Sequence, residues 1–254
     1  MFHEHFPKMI GPLYVLFGTV GLFLLLKKGR LNKTTRISVL IFSAVLGFVA
    51  FTPMFPVQFQ QLLLRSTPEG MPPIAVAFVL LLLVLSSLVV GRIFCGYLCP
   101  IGAVQELVYM TPVKKVTIRK KVLVVIGIFA FTAFLITAIV LGIALLQWFG
   151  ITPFFQLQIV EPFFYVFAVV VLISIFFYRP FCRMICPLGL MKSCVSRYSF
   201  FRISTGSGCS KCKICEKQCP TETAIIAADR CGECYLCLRC AEKCSRGEVV
   251  FRAK

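Results

Sequence analysis

The chain has 254 residues, 59% of them hydrophobic and only 15% charged. A soluble domain carries about 25% charged residues, so this composition excludes an ordinary soluble enzyme and predicts a membrane protein. The net charge of +17 lies in short segments between apolar runs, which fits orientation in a bilayer and argues against nucleic acid as a partner.

A helix that crosses a hydrocarbon core of about 30 Å needs about 20 mostly apolar residues. Five runs fit this requirement: residues 10–26, 37–55, 74–91, 122–146 and 162–178. The first is read as a retained helix, because no clear small-residue cleavage site follows it. The connections alternate in charge. Residues 27–36 hold five positive side chains and no acid, 56–73 hold only Arg65 and Glu69, 92–121 are basic, 147–161 hold only Glu161, and the tail is strongly basic. Positive segments stay in the cytoplasm, so the N-terminus is expected outside and the C-terminus inside, with Trp148 as an interfacial anchor on the outer face. No span has a charged residue in its middle, which argues against a proton relay or voltage sensor. The only histidines are His3 and His5, so a haem held by two buried histidines has no ligands.

The third and fifth runs end in the same motif, R-x-F-C-x3-C-P-x-G, at Arg92–Gly102 and again at Arg179–Gly189. An outer T-P-x-F precedes each, in residues 51–55 and 151–155. The repeat unit is helix, outer loop, helix, cysteine pair. Both copies run the same way through the membrane, so a pseudo-twofold along the membrane normal is expected. That axis would gather Cys95, Cys99, Cys182 and Cys186 at the cytoplasmic face. Residues i and i+4 share a helix face. Pro100 and Pro187 suit the first turn of a new helix, which puts Cys99 and Cys186 at N-termini that favour a thiolate or an anionic cluster. Three readings stay open: a third iron–sulfur cluster, packing at a proline bend, or disulfides, the last disfavoured on the cytoplasmic side.

Near the C-terminus come two runs of C-x2-C-x2-C-x3-C. They are Cys209, Cys212, Cys215, Cys219 and Cys234, Cys237, Cys240, Cys244. The register of the second follows from aligning the tails after Cys219 and Cys244, which leaves Cys231 outside it. Three thiolates spaced by two residues wrap one corner of a cubic cluster, and the fourth is carried to the other cluster. This run resembles the bacterial two-cluster ferredoxin domain. One [4Fe-4S] cluster would take Cys209, Cys212, Cys215 and Cys244. The other would take Cys234, Cys237, Cys240 and Cys219. Ser245 stands where that family usually has proline. Zinc is the competing reading for C-x2-C pairs. Cys194 and Cys231 stay unassigned, and a lone cysteine is most often a small buried side chain.

Repeated C-x3-C-P motifs followed by a two-cluster ferredoxin domain resemble the NapH-type membrane ferredoxins, with NosR-type and FixG-type proteins sharing the arrangement. The resemblance covers residues 37–254. It implies an all-α polytopic membrane bundle of about five helices with an internal parallel repeat, plus a small α+β ferredoxin domain. The expected parts are an N-terminal helix and basic loop (1–36), repeat 1 (37–110), repeat 2 (111–190), a linker (191–208) and the ferredoxin domain (209–254). The implied function is electron transfer between the quinone pool and a respiratory partner, such as an iron–sulfur protein or c-type cytochrome, in a prokaryotic inner membrane. Menaquinone is a candidate cofactor, with Gln58, Gln156 and Glu161 in the outer loops as candidate contacts. Two other functions compete. One is an anchor that bridges electrons to a soluble dehydrogenase, hydrogenase or ferredoxin without touching quinone. The other is an oxidase assembly or metal-handling factor.

Overall fold

The computed structural model describes residues 2–49, 55–64, 73–118, 120–222, 226 and 232–253. Cys231 and the first T-P-x-F up to Met54 lie outside them.

The frame is mostly helical. Helices α1 (Phe2–Lys27) and α2 (Lys33–Val49) flank the basic loop, and α3 (Phe55–Leu63) leads to α4 (Pro73–Val90). Helix α4 stops at Gly91, whose φ of +65° is a conformation only glycine adopts freely. There the chain enters the first cysteine motif. It does not continue as a regular α-helix through both cysteines, as their spacing alone predicts. It makes one wide π turn, Phe94–Leu98, and leaves Cys99 extended at φ −74°, ψ 117°. The cause is Pro100, whose ring disfavours helical backbone at the preceding residue. Pro100 then opens α5 (Pro100–Tyr109) at its first turn.

The second half follows the same plan. Helix α6 (Lys120–Ile139) is shorter than the predicted run 122–146. The chain turns at Gly142, where φ is +64°, and continues as a 3-10 turn over Leu145–Phe149. The short α7 (Ile151–Phe155) is the second T-P-x-F copy. Helix α8 (Pro162–Ile173) ends before the predicted 178. A π turn at Phe181–Ile185 and an extended Cys186 precede α9 (Pro187–Ser196). In this copy Arg179 itself takes the left-handed turn, with φ of 50°. That conformation costs a side-chain residue about 1–2 kcal/mol.

Helix α5 packs on α2, and α4 on α9, so each repeat's new helix lies against an earlier apolar one. Phe155, Phe167 and Phe181 are fully buried, and the Phe167 and Phe181 rings meet edge to face at 5.7 Å. Among the described residues, Val122–Ile139 is the one stretch long and apolar enough to cross a membrane, with mean hydropathy 2.8. Shorter apolar stretches run over Leu13–Lys27, Val76–Val90 and Pro162–Ile173.

The C-terminal part is small. Strands β1 (Phe201–Thr205) and β2 (Val249–Ala253) pair antiparallel, Phe201 opposite Ala253 and Thr205 opposite Val249. Strand β1 falls in the stretch read as a linker, so the ferredoxin-like unit reaches back past Cys209. Between the strands lie two single-turn helices, α10 (Ile214–Lys217) and α11 (Arg239–Glu242). The Phe23 ring meets Phe201 edge to face at 4.9 Å and so ties α1 to this unit.

Candidate metal centres

Cysteines distant in sequence come together in three places. One cavity is lined by Cys209, Cys212, Cys215 and Cys244. A second is lined by Cys219, Cys234, Cys237 and Cys240. The third lies at the junction of the two repeats and is lined by Cys95, Cys99, Cys182 and Cys186. The first two exchange their fourth cysteine, which is the crossing that two adjacent cubic clusters require.

The backbone of the two ferredoxin runs matches the same chemistry. Lys211 and Lys213 bracket Cys212 at φ 53° and 61°, and Leu236 and Leu238 bracket Cys237 at φ 56° and 57°. Four side-chain residues in left-handed turns, at equivalent positions of both runs, represent strain that ordinary loops avoid. Left-handed residues placed either side of a cysteine help turn successive N–H groups to one side, as in the concave anion-binding backbone found at iron–sulfur sites. Among the described residues no group of His, Cys, Asp and Glu side chains forms a site for a single metal ion. Each quartet lines one cavity, and four cysteine thiols are the donor set of a cubic cluster. Iron–sulfur clusters therefore fit these donors.

The junction quartet is built by reciprocal contacts between the repeats. Arg179 of the second motif donates to the carbonyl of Cys95 in the first, and to that of Gly96 at 2.7 Å. Arg92 of the first motif reaches the carbonyl of Cys182 in the second at 3.5 Å. The glycines of the two C-P-x-G segments explain themselves in the same way. A Cβ on Gly102 would stand 2.5 Å from the Cys95 carbonyl oxygen and 3.0 Å from the Arg179 guanidinium. A Cβ on Gly189 would collide with the Cys182 carbonyl and stand 3.4 Å from the Arg92 guanidinium. Each arginine thus holds the other repeat's cysteine turn, as an internal twofold demands.

The loop of the second ferredoxin run docks on this junction. The Tyr235 ring, next to Cys234, lies between the two arginines, 4.1 Å from Arg92 and 4.7 Å from Arg179. Tyr97 donates to the Leu236 carbonyl at 2.8 Å, and Arg36 to that of Cys237. Ion pairs surround these contacts: Arg183–Glu233 at 2.6 Å, Arg36–Glu242 at 2.9 Å, and Arg239–Glu106 at 2.5 Å. Glu106 also takes Arg179 at 3.0 Å and is 2% exposed. Burial pushes its carboxyl up, but Arg179 and Arg239 outweigh that and hold it below the usual carboxylate range. It is a buried, ionised carboxylate clamped by one arginine from each unit.

Gly96 marks the closest approach, since a Cβ there would overlap the Tyr235 carbonyl oxygen. Gly96→Ala is expected to loosen the ferredoxin-like unit from the junction. The expected readout is faster protease release of a fragment beginning near Phe200, with all three quartets still present in the chain. Unchanged release would show that the backbone yields at this contact.

The sequence reading missed Glu106, Tyr235 and Lys192. Single polar residues carry no spacing signal, although the arginines of the repeated motif were visible and only their crossing was not. Cys194 is exposed, contrary to the buried reading of a lone cysteine. The candidate quinone contacts Gln58, Gln156 and Glu161 do not gather in the same way. Gln158 donates to Gln156 at 2.9 Å on the surface, Glu161 is exposed at the start of α8, and Gln58 is half-buried on α3. None of them lines the three cavities. Gln60 is structural: its amide donates to the Ile143 carbonyl at 3.1 Å and accepts from the Leu146 N–H at 3.0 Å.

A family model described as a 4Fe-4S binding domain matches residues 71–119 and 162–205, one segment in each repeat, and each contains its C-x3-C-P. These features define an iron–sulfur electron-transfer protein. The chain is 31% identical to uncharacterized protein MJ0750 of Methanocaldococcus jannaschii, over 68% of this chain and 76% of that protein. It is 27% identical to the methylamine utilization ferredoxin-type protein MauN of Paracoccus denitrificans, over 66% of this chain and 62% of that one. It is 31% identical to the regulatory protein NosR of Stutzerimonas stutzeri, over 61% of this chain but 24% of that larger protein. No solved structure matches it. The chain belongs to the NapH/NosR-like family of membrane ferredoxin-type proteins.

Proposed function

We propose that this protein is a multi-pass membrane electron carrier with three [4Fe-4S] clusters, passing electrons between a cytoplasmic redox partner and the quinone pool. The carrying observation is the docking of the Cys234–Cys240 loop onto the junction quartet through Tyr235, Arg92 and Arg179. The ligands would be Cys209, Cys212, Cys215 and Cys244; Cys219, Cys234, Cys237 and Cys240; and Cys95, Cys99, Cys182 and Cys186. Clusters of this kind supply one-electron transfer. The protein's own part is to hold the quartets in line, the middle one against the junction, and to neutralise charge around them.

A bilayer around the helices is supported by their outward faces. Phe17 on α1, Phe42 on α2, Phe78 on α4, Ile128 and Phe129 on α6, and Leu172 on α8 all stand exposed. A water-soluble monomer rarely leaves so many large apolar side chains open on its helices. The basic segments favour the quartets at the cytoplasmic side.

The quinone link is tested by mixing the oxidised protein anaerobically with a menaquinol analogue and following cluster absorbance and electron spin resonance. Reduction within the mixing experiment supports the link. Absence of reduction by quinol, with full reduction by dithionite, removes it and leaves the anchor reading.

A further inference from the structure

Lys192 is the least explained charge in the described structure. It lies on α9, six residues after Cys186, and is 1% exposed. Its Nζ has no hydrogen-bond partner and sits 4.8 Å over the Phe94 ring. It lines the cavity shared by Cys95, Cys99, Cys182 and Cys186. Arg92, Cys95, Cys99 and Cys186 act on it electrostatically. The nearby acids are engaged elsewhere, Glu106 with Arg179 and Arg239, and Glu233 with Arg183. Arg92 is similarly short of partners, since its Nε makes no hydrogen bond. Lys192 therefore shares one cavity with four cysteines, and among the described residues no carboxylate lines it. An uncompensated buried cation costs several kcal/mol, so negative charge in this cavity would hold Lys192 in its charged form.

The internal repeat supplies a comparison. The residue six after Cys99 is Gln105, at the position equivalent to Lys192. Gln105 is also fully buried, and neither its Nε2 nor its Oε1 has a partner. The first repeat thus carries a neutral amide at the equivalent position. What the second repeat adds is the charge.

We propose that Lys192 is the counter-charge of the junction cluster, raising its reduction potential so that it accepts electrons more readily. This rests on the reading that Cys95, Cys99, Cys182 and Cys186 hold a cluster. A four-thiolate cluster is anionic and gains a further negative charge on reduction, so a fixed cation in low dielectric stabilises the reduced form more than the oxidised one. Net charge and surrounding contacts are the protein's means of setting such potentials.

The test compares full-length wild type, Lys192→Gln and Lys192→Arg in detergent, by iron content and by redox titration monitored by electron spin resonance. Lys192→Gln is expected to keep its iron and lower the junction midpoint, by at least a tenfold fall in the reduction equilibrium, about 59 mV for one electron. Lys192→Arg is expected to restore it, and the ferredoxin midpoints are expected to stay put. Loss of the junction iron in Lys192→Gln with rescue in Lys192→Arg also supports the proposal, because assembly then needs the charge. Unchanged midpoints in Lys192→Gln at full iron content overturn it, as does equal iron loss in both variants, which marks a packing role. Failure of the underlying reading looks different: Cys95→Ser and Cys182→Ser would then leave iron content and spectra unchanged.

Discussion

Cys95→Ser and Cys182→Ser are each expected to lower the iron bound per chain from about twelve to about eight, the loss of one cubic cluster of the three proposed. Either serine removes one of four donors from a cavity to which both repeats contribute. The loss is the same for either variant because the site is shared. Two independent sites, one in each repeat, would each hold less and fail separately. The ferredoxin quartets share no cysteine with the junction, so their spectra persist in both variants. The measurement is iron and acid-labile sulfide on anaerobically purified protein, with circular dichroism to establish that the helices remain. Iron unchanged in both variants would sink the third cluster and return the motif to a packing role.

Glu106→Gln has the second largest expected effect. Glu106 is buried, and its two oxygens hold Arg179 at 3.0 Å and Arg239 at 2.5 Å. The amide is isosteric, but it leaves the buried Arg179 and the partly buried Arg239 guanidiniums without their anion. Breaking one side of a buried ionic cluster costs about 3–5 kcal/mol. The expected result is a lower unfolding temperature, and release of the ferredoxin-like unit before the helices melt, because Arg239 belongs to that unit. Acid should reproduce part of this. The folded carboxyl of Glu106 lies below its unfolded value, so its contribution is fully present above about pH 4.3. It is lost as the pH falls through the lowered folded value. The variant should lack that acid-dependent component. An unfolding temperature within error of wild type would show that the arginines find other anions.

The effects of these two changes bear on different levels of the design. Cysteine replacement removes a donor and leaves the frame. Glu106 replacement keeps every donor and loosens the frame that aligns them. If electrons run from the ferredoxin-like unit to the junction, both slow that transfer, but only the second leaves the full iron content in place.

Much of this was legible in the sequence because the chemistry repeats. Eight cysteines in two identical spacings, and four more in two C-x3-C-P motifs, mark donor sets without any coordinates. Pro100 and Pro187 mark the starts of α5 and α9, because a fixed φ and a missing N–H suit the first helical turn. Other features were misjudged where local pattern competes with tertiary packing. The run 122–146 is uniformly apolar, yet the helix breaks after Ile139. The cysteine turns read as α-helical by spacing and are π turns with an extended exit, since proline acts on the residue before it. Strand β1 was hidden in a linker because its partner, β2, lies at the far end of the unit.

The sequence by itself determined the candidate donors in kind: cysteines, in quartets, on a largely apolar helical chain. Spacing encodes that, since a donor's identity and its local turn depend on near neighbours. The tertiary structure alone decided which charges meet. Arg92 and Arg179 cross to the opposite repeat, Glu106 joins two units, Tyr235 slots between two guanidiniums, and Lys192 shares one cavity with four cysteines. Those pairings span long stretches of chain and follow from how apolar helices bury one another, so no local pattern in the sequence announces them.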